Sequence, residues 1–348
     1  MTSAATNHRP DDALRQYMLP LSGLLAGDVT EVCVNRPGEA WTESSAGWVR
    51  HDMPELTFPR LKQLGALIAN FNNVPFRQEI PYLSGVLPDR ERVQVVMAPA
   101  TTEGTLSFTI RKPSLVEKTL DELDAEGSFA GARMAKEGLT EADERLVRLR
   151  NEGRIRDFLE LAVLSKKNIL FAGATGSGKT TVMRALVTCI PHSERVITIE
   201  DAHELFMQGH PNKVHLFYKA ARPGEAGPQC TAQDALKSCM RMKPDRILLA
   251  ELRGAEAWDY MDSLNTGHPG SLSSIHANSA LDAMTRLVSL LKSSPSGRDL
   301  PPAYLQQMCF ETIDVVLFYK KRKLQEVYFD PHRRLASSRV HSTLSEAA

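Results

Sequence analysis

The sequence predicts an α/β protein, with a parallel-sheet C-terminal domain preceded by a smaller α+β N-terminal domain. Three observations carry that prediction. From Ile155 onward, short uninterrupted apolar runs alternate with helical stretches, the pattern of strands buried on both faces of a parallel sheet. One of those runs, Asn168 to Ala172, leads into a glycine-rich loop and then a helix. Residues 1–112 show a different texture, in which alternating strands and amphipathic helices mix without the βα repeat.

In chain order, Leu14, Met18, Leu21 and Leu25 recur at helical spacing and give an amphipathic entry helix. Val29 to Asn35 alternates like a strand and stops at the turn signal Arg36-Pro37-Gly38. Trp41 and Trp48 flank a second turn at Gly47, and Leu61, Leu64, Ile68 and Phe71 mark a second helix. Arg92 to Met97 and Thr105 to Ile110 read as two strands joined by a loop. Residues 113–153 are glycine-punctuated and charged, a linker with short helices, in which Thr140 and Asp143 cap a helix through Leu146 and Leu149. The second domain is expected over 154–330. A helix with Phe158, Leu159, Ala162 and Val163 is followed by strands at Asn168–Ala172, Val196–Ile199, Arg246–Ala250 and Ser271–Ile275. After Leu324 to Phe329 the chain turns polar, and 331–348 reads as a loose tail.

Composition narrows the function classes. With 42 basic and 42 acidic side chains the formal net charge is zero, without the basic footprint of a dedicated nucleic-acid binder. Cys33, Cys189, Cys230, Cys239 and Cys309 never form a CxxC pair, which argues against a disulfide framework and for a reducing, cytosolic compartment. The apolar stretch Leu19–Ala26 is broken by Pro20, Ser22 and Gly23, and no segment approaches the roughly 20 apolar residues of a membrane span.

The strongest motif is Gly173-Ala174-Thr175-Gly176-Ser177-Gly178-Lys179-Thr180, a GxxxxGK[ST] loop set between a strand and a helix that opens at Thr181. Glycines let the backbone N–H groups turn toward phosphate oxygens, and the helix N-terminus adds its positive end. Lys179 is placed to reach the β- and γ-phosphates, and the Thr180 hydroxyl to complete a Mg²⁺ shell. A second motif, Lys243 to Glu251, is an apolar strand ending in a carboxylate, so Glu251 is the candidate to hold Mg²⁺ through water or to polarise the attacking water. Two more strands end in polar residues: Glu200-Asp201-Ala202-His203-Glu204, and His276-Ala277-Asn278. In an open parallel sheet such ends share the ligand crevice, which makes His276 a candidate γ-phosphate sensor. His268 and His276 are wrongly spaced for an i, i+4 metal pair, and no cysteine completes a site.

Taken together these segments resemble the secretion ATPase superfamily, specifically the VirB-type traffic ATPases of type IV secretion and conjugation systems. The resemblance rests on the P-loop 173–180, the Asp box Ile199 to Leu205, the Walker B stretch Arg241 to Gly254 and the His box Thr266 to Ser279. In the N-terminal half it rests on Val29 to Gly38 and Ser107 to Ser114. It departs from the usual pattern at Ala202-His203, where relatives often carry a hydroxyl. The resemblance implies a homohexameric ATPase with RecA-like C-terminal domains, ATP and Mg²⁺ as cofactors, and hydrolysis coupled to macromolecular secretion or pilus biogenesis. It implies that Arg92 and Arg111 of the N-terminal domain reach the nucleotide, and that Glu204 and Glu251 organise water and metal. It also implies a peripheral place on the cytoplasmic face of the inner membrane. There the partners would be other inner-membrane components and ATPases of the machine, with a secreted protein or DNA–protein complex as substrate. The alternatives are a pilus or type II secretion motor, of which type II motors typically carry a zinc-binding tetracysteine element not found here, and a nucleotide-binding ring scaffold without turnover.

Overall fold

A computed structural model of the chain describes residues 11–113, 117–132, 138–219 and 230–333. The expected C-terminal tail lies almost wholly outside them. Helix α1 (Asp12–Ala26) opens the N-terminal domain and buries Leu14, Met18 and Leu21, as the helical spacing predicts. There follow β1 (Glu31–Val34), β2 (Gly38–Ser44), β3 (Gly47–Met53), α2 (Phe58–Phe71), β4 (Tyr82–Val86), β5 (Arg92–Met97) and β6 (Leu106–Arg111). The strands form one antiparallel sheet in the order β3-β2-β1-β6-β5-β4. Gly38 and Gly47 have φ of +85° and +97°, values that a Cβ would disfavour, at the two turns the sequence marks. Leu14, Leu21, Leu61, Leu64, Ile68, Val32 and Phe108 meet between the helices and the sheet.

The linker region contains α3 (Leu120–Ala125) and α4 (Glu141–Asn151). Thr140 caps α4 reciprocally with Asp143, as expected. Helix α4 packs Leu146 and Leu149 against Phe158 and Phe171, so the second core already begins there. The remaining elements are α5 (Ile155–Leu164), β7 (Ile169–Ala172), α6 (Lys179–Val187), β8 (Val196–Glu200), β9 (Lys213–Phe217), α7 (Ala232–Cys239), β10 (Arg246–Leu249), α8 (Glu256–Asn265), β11 (Leu272–Ile275), α9 (Ala280–Ser293), α10 (Pro302–Thr312), β12 (Val315–Lys320) and β13 (Lys323–Phe329). Their sheet runs β13-β12-β7-β11-β10-β8-β9 and is parallel except for β13. Strands β7, β8, β10 and β11 are wholly buried, which is why β7 and residues 247–249 of β10 read as continuous apolar runs, while β8 and β11 also bury Thr198, Glu200, Ser273 and Ser274. Side chains from α4, α5 and α6 cover one face, and those from α7 to α10 the other.

The N-terminal domain lies along the β9 edge. At the amino ends of the strands, Arg195 is fully buried and donates to Asn35 Oδ1 (2.6 Å), Asn212 Oδ1 (2.7 Å) and Met242 O (2.9 Å). Trp48 donates to Asp245 (3.1 Å), and Lys243 pairs with Glu43 at 2.8 Å. Further along the edge, Phe217 N–H donates to Ala100 O and Thr101 Oγ1 donates to His215 O. The domain thereby covers an edge strand whose unpaired backbone would otherwise be exposed. At the seam Glu31 is buried, and that burial pushes its carboxyl up to about 7 even though Arg111 beside it pulls the other way. No helix of the described residues is long and apolar enough to cross a membrane, and all five cysteines are free.

Candidate active site

Because the sheet is parallel, the loops after β7, β8, β10 and β11 leave from the same side. After β7 the loop 173–178 turns sharply into α6, with φ of +148° at Gly173, +70° at Gly176 and +101° at Gly178. A Cβ at Gly173 would collide with Tyr319 O and come within 2.6 Å of Ser177 Oγ, so the loop closes only on glycine. The β12–β13 turn props it from behind, Arg322 N–H donating to Ser177 O at 3.0 Å. Lys179 is 8% exposed and donates to the Gly173 and Ala174 carbonyls at 2.6 and 3.0 Å. Its burial lowers the pKa of the ammonium, and the nearby Glu251 carboxylate partly restores it.

This loop fits a phosphate chain. The buried Ser177 hydroxyl has no hydrogen-bond partner among the described residues, an orphan that a ligand oxygen or water would satisfy. The loop also opens at the N-terminus of α6, where backbone N–H groups and the helix dipole favour anions. Thr180, half-buried, and Thr181, exposed, stand in the first turn of that helix. A hydroxyl at Thr180 and a carboxylate at Glu251 are oxygen donors, the set a hard cation such as Mg²⁺ takes.

The strand end after β10 is tightly fixed. Ala250 N–H donates to Ile199 O, Ser274 Oγ donates to Ala250 O, and Leu252 N–H donates to Ser274 O. Glu251 follows Ala250 and is largely buried, with Oε1 at 2.9 Å from His276 Nε2 and Oε2 accepting from Arg253 Nη2 at 2.9 Å. Arg253 reaches across to Asp201 with its other nitrogen. Thus Lys179, Glu251 and His276, predicted from sequence, gather with Asp201 and Arg253. Those last two lie within the Asp box and the Walker B stretch, where no local sequence signal distinguishes them. Strand ends in register are what place them together.

Three predicted residues stand elsewhere. Glu204 has an exposed side chain without a hydrogen bond or ion pair among the described residues. Its backbone N–H, with that of Leu205, donates to Glu200 Oε2 at 2.8 Å. Burial alone would raise the Glu200 carboxyl, yet hydrogen bonds from His215, Thr198 and those two N–H groups hold it below the usual range. The first acid of the Asp box is therefore a buried carboxylate that shapes the loop. Arg111 lies 3.5 Å from Glu31, with most of its side chain exposed, and Arg92, its register partner, is exposed. Among the described residues no hydrogen bond or ion pair joins either arginine to the P-loop. The reason is placement: Glu31 feels Lys243 and Arg195, both at the amino ends of strands, whereas the P-loop leaves a carboxyl end.

Residues 145–298 match the family described as Type II/IV secretion system protein. The chain is 41% identical over 321 residues to the type IV secretion system protein VirB11 of Brucella suis, covering 90% of this chain and 89% of that protein. It is 41% identical over 300 residues to the type IV secretion system protein PtlH of Bordetella pertussis, covering 85% and 86%. The crystal structure of the VirB11 ATPase of the Brucella suis type IV secretion system, in complex with sulphate, superposes with a TM-score of 0.89 at 40% identity, covering 94% of this chain and 98% of that one. With likeness running through both domains and the P-loop site intact, the chain belongs to the VirB11 family of type IV secretion ATPases.

Proposed function

We propose that the chain hydrolyses ATP with Mg²⁺ as one subunit of a homohexameric ring and so energises substrate transfer or pilus biogenesis by a type IV secretion system. The observation that carries this is the convergence of the P-loop lysine with the Glu251–His276–Arg253–Asp201 cluster at the carboxyl end of the sheet. Bound ATP would supply the phosphoanhydride to be cleaved, and Mg²⁺, which Thr180 and Glu251 would hold, would supply charge neutralisation. Lys179 would leave its loop carbonyls for phosphate oxygens, and the Gly173–Thr181 backbone would donate its N–H groups. Glu251 is suited to orient a water, since Arg253 holds Oε2 while the buried Oε1, 2.9 Å from His276 Nε2, has no hydrogen-bond partner among the described residues and is left to accept one. Glu204, exposed on the Asp-box loop, would join once nucleotide draws that loop inward.

Arg92 and Arg111 fit a role on a neighbouring subunit's nucleotide. Within one chain they sit toward the amino ends of strands, at least ~13 Å of strand length from the P-loop side. A ring brings one subunit's N-terminal domain beside the next subunit's carboxyl-end face. That the VirB11 of Brucella suis was solved with sulphate is in keeping with an anion site in this fold. A peripheral position on the inner membrane, beside other components of the machine, completes the reading.

Phosphate release by the purified protein tests it. Wild type should turn over, and Glu251→Gln should fall at least about 100-fold while still binding nucleotide. Turnover in neither protein would leave a scaffold, and equal turnover in both would remove Glu251 from the chemistry. Light scattering should find a hexamer whose population rises with concentration and ATP; a monomer throughout would overturn the ring.

A further inference from the structure

A second cluster of ligand atoms lies beside the hydrolytic site and is not used by it. Strand β8 ends in Thr198-Ile199-Glu200, and β9 runs alongside with His215 in register with Thr198. Glu200 is fully buried, and among the described residues no lysine or arginine pairs with it. Its polar neighbours are the Thr198 hydroxyl (2.7 Å to Oε1), two backbone N–H groups on Oε2, and His215 Nδ1, 3.6 Å from Oε1. A buried carboxylate normally has a counter-charge, and the nearest candidate here is the His215 imidazole, charged only when protonated.

Two imidazoles converge on that carboxylate. The His203 ring packs 4.6 Å from the His215 ring and against Phe206 and Phe217, at 4.7 and 5.2 Å between centroids. One donor atom from each of Glu200, His203 and His215 lies within 4.8 Å of the other two. For bonds of about 2.1 Å, two ligands of a tetrahedral ion stand about 3.4 Å apart, close to the gap between His215 and Glu200. The exposed His203 can close the remainder by turning about its own side-chain bonds. Glu200 is held from behind by Thr198 and the loop N–H groups, the outer-shell support that orients a ligating carboxylate.

We propose that Glu200, His203 and His215 bind a divalent transition-metal ion of the zinc type, separate from the Mg²⁺ of hydrolysis. Two nitrogens and one oxygen suit zinc over magnesium, and the exposed side of His203 leaves a fourth position to water. Such an ion would displace the Thr198 contact from His215 Nδ1 and leave that hydroxyl on Glu200. It would neutralise the buried carboxylate and pin the Asp-box loop to β9.

The test uses the full chain, stripped with chelator, desalted and free of nucleotide. Zn²⁺ is titrated against a chromophoric chelator, and Co²⁺ is followed by its visible spectrum. One ion per chain is expected, with the intense visible bands of four-coordinate Co²⁺. His203→Ser, a change at an exposed position, should weaken Zn²⁺ binding at least about tenfold while metal-free affinity for a fluorescent ATP analogue is unchanged. His215→Gln should do the same, and His192→Asn, on the separate His192–His210 ring pair, should not. Failure to bind Zn²⁺ stoichiometrically, or equal affinity in wild type and His203→Ser, overturns the proposal.

Discussion

The two ends of the C-terminal sheet carry similar residues to opposite ends. At the amino ends, Arg195, Asn35 and Asn212 are almost fully removed from water and lock one domain onto the other. At the carboxyl ends, Arg253, Asp201 and His276 stand partly in solvent around a largely buried Glu251. The contrast teaches that burial decides what a charged group does. Where water is excluded and partners are fixed, a guanidinium is a structural tie; where water enters, the same group can be exchanged for a ligand's charge.

The largest test of that contrast is Arg195→Met. It leaves the Asn35 side-chain oxygen and the Met242 carbonyl without their donor in a dry seam and takes one of two donors from Asn212 Oδ1, which keeps Asn35 Nδ2, and should cost roughly 3–5 kcal/mol of stability. Chemical denaturation measures it; a loss under about 1 kcal/mol would mean that the seam is wet. At the other end, Lys179→Ala should leave the melting temperature nearly unchanged and reduce ATP affinity about 100-fold or more, read with a fluorescent analogue. Unaltered affinity would break the assignment of the P-loop.

A smaller, pH-dependent effect belongs to Glu31. Its carboxyl is raised in the fold, so the native state holds its proton more tightly than the unfolded chain does. Its contribution to stability is therefore present below about pH 4.5, declines as pH rises toward 7, and is flat above. Glu31→Gln should abolish that decline and gain on the order of 1–3 kcal/mol over wild type at pH 8 relative to pH 4.5. Parallel stability curves for the two proteins would remove Glu31 from the account.

How legible each end was follows from the range of its interactions. The P-loop, β7 and α6 are contiguous, so the local pattern of glycines and apolar residues suffices to place them. Glu251 and His276 were legible because parallel strands must end on one side. The seam was not: Asn35 and Arg195 are 160 residues apart, and polar residues before a strand look like ordinary solvated turns. Strand β9, Lys-Val-His-Leu-Phe, is an edge strand whose apolar residues are interrupted by His215, and the N-terminal domain covers it in place of a further strand. Strand β12 is apolar enough, but it follows α10 after a break of two residues and shows no change of texture. Glu200 was read only as one of three acids; nothing local tells a buried carboxylate from its exposed neighbours.

The position of Trp48 gives the molecule an optical gauge. Its indole N–H holds Asp245 while the Arg195 guanidinium lies 5.5 Å from its ring, so its surroundings are set by contact between the domains. The chain's other two tryptophans stand apart from this pair: Trp41 is buried in the N-terminal sheet and bonded to Glu39, and Trp258 lies on α8. Separation of the domains would give Trp48 to water and shift the emission to the red, whereas a rigid seam would leave the spectrum still throughout turnover. The motor thus carries its own reporter of whether nucleotide moves the domains of one chain or only the contacts between neighbours.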